Sequence, residues 1–163
     1  MTERTGPGEQ LHCGVQLRRV ERVLSERIKG VVVKTEAVDR AEMVFTHPLH
    51  DTLIKIVVCQ SLHKTLPATV SISVFVAPWL DLAANPDSVA KLLLANARLQ
   101  GCATAVDSID DYDKAVVLVR CTPIEGLEPQ EVMRVIDDIV WEWAELSTTG
   151  EDAAGDAAAG ATA

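Results

Sequence analysis

The chain has 163 residues, 48% hydrophobic and 24% charged, enough for one soluble domain with a substantial core. A net charge of −9 and a pI near 4.8 repel phosphate backbones, which argues against nucleic acid as a partner. No apolar run approaches the ~18 residues that a membrane span needs, and the polar start MTERTGPGEQ is unlike a secretory leader, so the sequence predicts a cytoplasmic protein without a membrane partner. Aromatics are only 4%, so the core must be aliphatic. Cys13, Cys59, Cys102 and Cys121 are widely spaced with no C-x-x-C pair, as expected for reduced thiols used mostly as small buried groups.

Residues 1–13 are polar and carry Gly6, Pro7 and Gly8, and read as flexible. Leu17, Val20, Leu24 and Ile28 then recur at helical spacing until Gly30. The arginines of this helix (Arg18, Arg19, Arg22, Arg27, with Lys29) alternate with Glu21 and Glu26, the pattern of a solvated face. Four strands follow: Val31–Val38, Glu42–Thr46, Thr52–Gln60 and Thr69–Ala77. The last is the clearest, with Val70, Ile72, Val74 and Val76 alternating against Thr69, Ser71, Ser73 and Phe75. Pro78-Trp79 ends it. Asn85-Pro86 supplies an N-cap amide and a first-turn proline for a second helix, lined by Val89, Leu92, Leu93 and Leu99 and ended by Gly101. Strands over about 102–106 and 115–121 flank an Asp-rich turn. A closing helix begins near Pro129 with the stripe Val132, Ile136, Ile139 or Val140, Trp143, Leu146.

The predicted order is αββββαββα, an α+β domain over 14–146 with an antiparallel sheet and helices packed on it. The tail, 147–163, has almost no apolar group larger than Ala and is predicted to be disordered.

Candidate chemistry is sparse. Asp107, Asp110, Asp111 and Asp113 crowd one turn, yet a Ca²⁺ loop also needs a Gly at the bend and a distal Glu. Asp is frequent in turns because its carboxylate bonds the local backbone, and a hairpin tip is the stronger reading. His47-x-x-His50-Asp51 offers two imidazoles and a carboxylate, but Pro48 prevents a helix from aligning them and no third strong ligand is near. Cys59, Cys102 and Cys121 fall in apolar strands, where a thiol lacks the base that a nucleophile requires. A hairpin centred on Asp111-Tyr112 would set Cys102 opposite Cys121 as neighbouring thiols. No catalytic, cofactor or metal residue is therefore assigned. In Trp141-Glu142-Trp143 the two indoles point about 200° apart on a helix. Trp143 continues the apolar stripe. Trp141 points away, toward Arg134, Asp138 and Glu145, and with Trp79 is the residue set aside for a partner or dimer contact.

The second half carries a resemblance. Leu92, Leu93, Asn96, Arg98 and Leu99, an acidic hairpin, Val116, Val117, Leu118 and Arg120, and the Gly126-Leu127-x-Pro129 break before an amphipathic helix resemble the YbjN-type bacterial sensory transduction regulators. The layout is also similar to the class I type III secretion chaperones. The resemblance implies a chaperone-like fold and a small acidic cytoplasmic protein, often a homodimer, that binds another polypeptide and is not an enzyme. The expectation is a YbjN-like regulator. The alternatives are a dedicated secretion chaperone holding a partner polypeptide, and, in another class, a metal-binding protein or enzyme using His47, His50 and the Asp107–Asp113 turn.

Overall fold

The computed structural model describes residues 12–60, 68–124 and 128–159, with side chains up to 145. Helix α1 (Cys13–Ser25) is followed by β1 (Val32–Glu36), β2 (Arg40–Thr46), β3 (Leu53–Cys59) and β4 (Thr69–Pro78). Then come α2 (Trp79–Ala83), α3 (Pro86–Ala95), β5 (Ala103–Ile109), β6 (Tyr112–Pro123) and α4 (Pro129–Ala159). The six strands form one antiparallel sheet in the order β1-β2-β3-β4-β6-β5, so the chain is an α+β protein with helices against an antiparallel sheet.

The helical face of the sheet makes the main core. Ala41, Met43 and Phe45 of β2 pair with Val58, Ile56 and Ile54 of β3, which pair in turn with Val70, Ile72 and Val74 of β4. Leu17, Val20 and Leu24 of α1 and Val132, Ile136 and Ile139 of α4 close over them, all buried. Each such aliphatic side chain is worth roughly 1.5–3 kcal/mol of burial. The strand period of two meets the helical period of 3.6, and both deliver their apolar positions to one layer.

The opposite face is closed differently. Ile109, Ala115 and Val117 are buried there with Leu53, Phe75, Ala105 and Val119 around them. On this face Lys55 of β3 is 2% exposed, its Nζ 2.5 Å from Asp107 Oδ2 and donating to the Ser108 carbonyl of β5. In a flat sheet β3 and β5, with two strands between them, would lie roughly 14 Å apart at the usual strand spacing. One lysine reaches across only because the sheet curls. Lys34 on edge strand β1 meets Asp110 at the hairpin tip at 2.9 Å, so the curl brings the two edges together at one end. The Asp110 carboxylate raises the Lys34 pKa.

Several boundaries differ from the sequence reading. Helix α1 stops at Ser25, and Arg27 and Ile28 N–H groups both bond the Leu24 carbonyl, a tighter turn that still buries Ile28. Gly30 follows with φ 79°, a backbone that favours glycine. Helix α2 has no counterpart in the predicted order; it forms where Pro78 ends the strand ladder and the next five residues close one short turn. The tail predicted to be disordered continues as α4 backbone to Ala159, in line with the high helix propensity of its alanines.

The β5–β6 register also corrects an expectation. Ala103 pairs with Val119 and Asp107 with Ala115, but Ile109 pairs with Tyr112, so an irregularity between Asp107 and Ile109 shifts the ladder by one. Cys102 and Cys121 are therefore not opposed. Alternate residues point to opposite faces, and Cys102 turns to the helices while Cys121 is exposed. The turn is only Asp110-Asp111, with Asp110 at φ 49°, a conformation Asp tolerates.

Candidate functional site

Helix α3 begins as its sequence demands: the Asn85 side chain accepts from Asp87 N–H at 3.0 Å, and Pro86 is the first helical residue. Neither α2 nor α3 contains a buried residue. Leu80, Leu93 and Leu94 are 79%, 63% and 70% exposed, while Trp79, Leu82, Val89 and Leu92 are half-buried. Val89, Leu92, Leu93 and Leu94 cannot share one face, because three consecutive helical residues span about 200°. The segment 79–100 has two acidic and two basic residues, so this apolar surface is neutral within a strongly acidic chain.

The end of α3 is tied to the sheet. Asn96 Oδ1 accepts the Thr104 N–H at 2.7 Å and so occupies a donor on edge strand β5. Gly101 turns with φ 139°, and a Cβ there would sit 3.6 Å from the Arg120 guanidinium carbon. Arg120 also approaches Asp138 of α4 at 3.9 Å. Asn96 and Arg120, two of the motif residues, thus join α3, the sheet and α4. Gly126 and Leu127 of the same motif lie outside the described residues. Glu142 of α4 accepts from Gln100 N–H at 3.4 Å and from the Cys102 thiol at 2.8 Å. Burial, then the Glu142 hydrogen bond, push the Cys102 pKa up to about 12. That thiol is no nucleophile at neutral pH. Burial also raises the Cys13 pKa, and no disulfide joins any of the four cysteines.

Trp141 is 65% exposed. It lies on the side of α4 opposite Val132, which is fully buried. Its neighbours one turn away are Asp137, Asp138, Ala144 and Glu145, so three of the four positions beside it are carboxylates. Trp143 packs on the main core as its phase requires. Trp79 opens α2 and is half-buried.

The histidine pair is closer than expected. A turn, not a helix, brings the rings to 5.3 Å: His47 N–H bonds the Thr52 carbonyl, Asp51 N–H bonds the His47 carbonyl, and Asp51 takes φ 49°. His47 is 4% exposed; its Nδ1 accepts from Leu49 N–H and its Nε2 faces Asp137 at 3.8 Å. Burial, then neighbouring His50, lower its pKa, and Asp137 offsets this in part. The ring of His50 stands edge-on to Trp143 at 6.3 Å. These groups lie on the helical face of the sheet, whereas Asp107 answers Lys55 on the other, so the fold does not bring the histidines and the acidic turn into one site. Among the described residues no three His, Cys, Asp or Glu side chains are grouped as a metal would require. On α1, Arg18 pairs with Glu21 at 2.6 Å and with Glu36 at 2.7 Å, as a solvated charged face does. His12 caps that helix, and His63 lies outside the described residues.

Among the described residues no helix is long and apolar enough to cross a membrane. No protein-family model matches the chain, and no curated protein matches it in sequence. A solved structure, that of an uncharacterized protein from Methanothermobacter thermautotrophicus, is similar in fold with a TM-score of 0.52 and 14% identity, over 85% of this chain and 97% of the other. At that identity the likeness speaks for the α+β fold alone.

Proposed function

We propose that this chain is a non-enzymatic polypeptide-binding module of chaperone-like fold, a cytoplasmic regulator of the YbjN type that works as a homodimer. The observation that carries the reading is the α2–α3 pair, fifteen helical residues without one buried, with Leu80, Leu93 and Leu94 in solvent. Exposed apolar helices of this kind mark a surface made to be covered. Because the segment is neutral, two copies of an otherwise acidic chain can meet there without mutual repulsion. Trp79, at the start of α2, belongs to the same surface.

A dedicated secretion chaperone is the second reading. Edge strand β1 favours it, since a partner held in extended form can add to a sheet edge. Light scattering tests the dimer: a monomer mass at ~100 µM, far above the affinity of a functional pair, would remove it. Purification from the native cell tests the function. A defined polypeptide that accompanies the wild-type chain and is lost with Leu93→Asp/Leu94→Asp is the expected outcome; a tightly bound metal or small molecule in its place would support the enzyme class.

A further inference from the structure

Helix α4 carries most of the charge of this protein. Over Pro129–Ala159 there are eight acidic residues and one arginine, a net of −7 out of −9 for the whole chain. Its buried side is spent on Val132, Ile136 and Ile139, so the opposite side has no part in the core. At the middle of that outward side stands Trp141, flanked at i−4, i−3 and i+4 by Asp137, Asp138 and Glu145. The first two carboxylates are 62% and 54% exposed. Their contacts to His47 at 3.8 Å and Arg120 at 3.9 Å are long, and both side chains stay more than half exposed.

We infer that the outward face of α4 around Trp141 docks a basic, arginine-containing segment of another polypeptide. The inference rests on the polypeptide-binding reading and names the chemistry of the partner. An indole face attracts a guanidinium through its quadrupole, and the Asp137 and Asp138 carboxylates one turn before it supply hydrogen-bond acceptors for the same group. An acidic or neutral partner gains nothing from this face. On a second copy the basic residues lie on and just after α1, interleaved with Glu21 and Glu26, and Arg18 is held by Glu21 and Glu36, so that surface offers mixed charge rather than a basic segment. A reciprocal pairing of α1 on α4 between two copies is the competing occupant, and the oligomeric state of Trp141→Ala distinguishes it. The neutral α2–α3 surface and the acidic α4 face are thus suited to different occupants.

The test uses the full-length chain and two labelled peptides, one alternating arginine and leucine, the other glutamate and leucine, followed by fluorescence anisotropy. The arginine peptide is expected to bind at least ~10-fold tighter than the glutamate peptide and to weaken steeply between ~0.05 and ~0.5 M salt. Trp141→Ala should cost roughly 10-fold in affinity, with Trp141→Phe in between. Asp137→Asn/Asp138→Asn should weaken binding comparably, with circular dichroism unchanged in every variant. Equal binding of both peptides, or arginine-peptide binding that ignores Trp141→Ala, overturns the proposal. If binding is instead lost in Leu93→Asp/Leu94→Asp, the chain still binds polypeptide but at α2–α3, and only the assignment to α4 falls. If neither peptide binds at all, the polypeptide-binding reading falls with it. A wild-type dimer that Trp141→Ala converts to monomer would make this face a self-interface and overturn the proposal as well.

Discussion

Helices α1 and α3 are both capped, both apolar in part and both short, yet one is built into the core and the other stands outside it. Leu17, Val20 and Leu24 of α1 recur on a single stripe, and all three are buried. In α3 the run Leu92-Leu93-Leu94 is more apolar, and none of it is buried. Apolar content alone does not decide burial; the angle between apolar positions does. A helix whose leucines point in three directions can satisfy a sheet with only one of them. The remainder face water, so α3 adds little to the core that α1 helps to build.

The sharpest way to break this comparison is to truncate both. Leu17→Ala or Ile136→Ala should cost about 2–5 kcal/mol, the range for large-to-small changes in a packed core. Leu93→Ala or Leu94→Ala should stay within ~0.5 kcal/mol in the monomer, as exposed substitutions do. Urea unfolding at low protein concentration measures both. If the α3 variants unfold as easily as the α1 variant, α3 is core and the proposed surface is lost.

The two tryptophans of α4 repeat the contrast on one helix. Trp143→Ala should destabilise by somewhat less than the ~3–5 kcal/mol of a fully buried indole, because its burial is partial. Trp141→Ala should leave stability unchanged and alter only association. The reverse result would mean that α4 is rotated from the orientation described.

The closed second face offers a further test. Replacing Asp107 with Asn leaves the Lys55 ammonium buried with a carbonyl as its partner, and should cost up to ~3 kcal/mol. Lys55→Met removes the charge and keeps the volume, and should fall within ~1 kcal/mol of wild type. Equal losses in the two would show that the pair, rather than the relief of a buried charge, holds the curl.

A smaller effect is expected from His47. Burial lowers its pKa in the folded chain, so the unfolded chain takes up the proton first as pH falls. Stability should be intact above pH ~6.5 and decline as pH falls from there through the depressed folded value. His47→Gln should flatten that part of the stability profile. The smallest readout is thiol reactivity at mildly alkaline pH: exposed Cys121 should alkylate well before Cys102, whose proton is held by burial and Glu142.

Local pattern was enough to reach the strands, the Asn85-Pro86 helix start and the outward direction of Trp141, because each depends on a period or a cap within a few residues. What local pattern could not reach depends on groups far apart in the chain. Asn96 stands out in the sequence as a motif residue, but its partner, the Thr104 N–H, is set by the fold. No sequence signal marks Lys55 among the apolar residues of its strand, and only the curl of the sheet buries it against Asp107. The Cys102 register failed because the turn is Asp110-Asp111, one residue earlier than the expected centre, and the irregularity beside Asp107 then shifts the ladder by one, which puts Cys102 and Cys121 on opposite faces. The sequence by itself determined the six strands, the three longer helices and which of their faces are apolar, since these follow from side-chain spacing, but not the short α2 or the length of α4. The closure of the second face and the ties from the end of α3 through the sheet to α4 were decided only in the tertiary structure. There the curvature of the sheet and the cover that α1 and α4 give to its apolar layer set which surfaces are left uncovered.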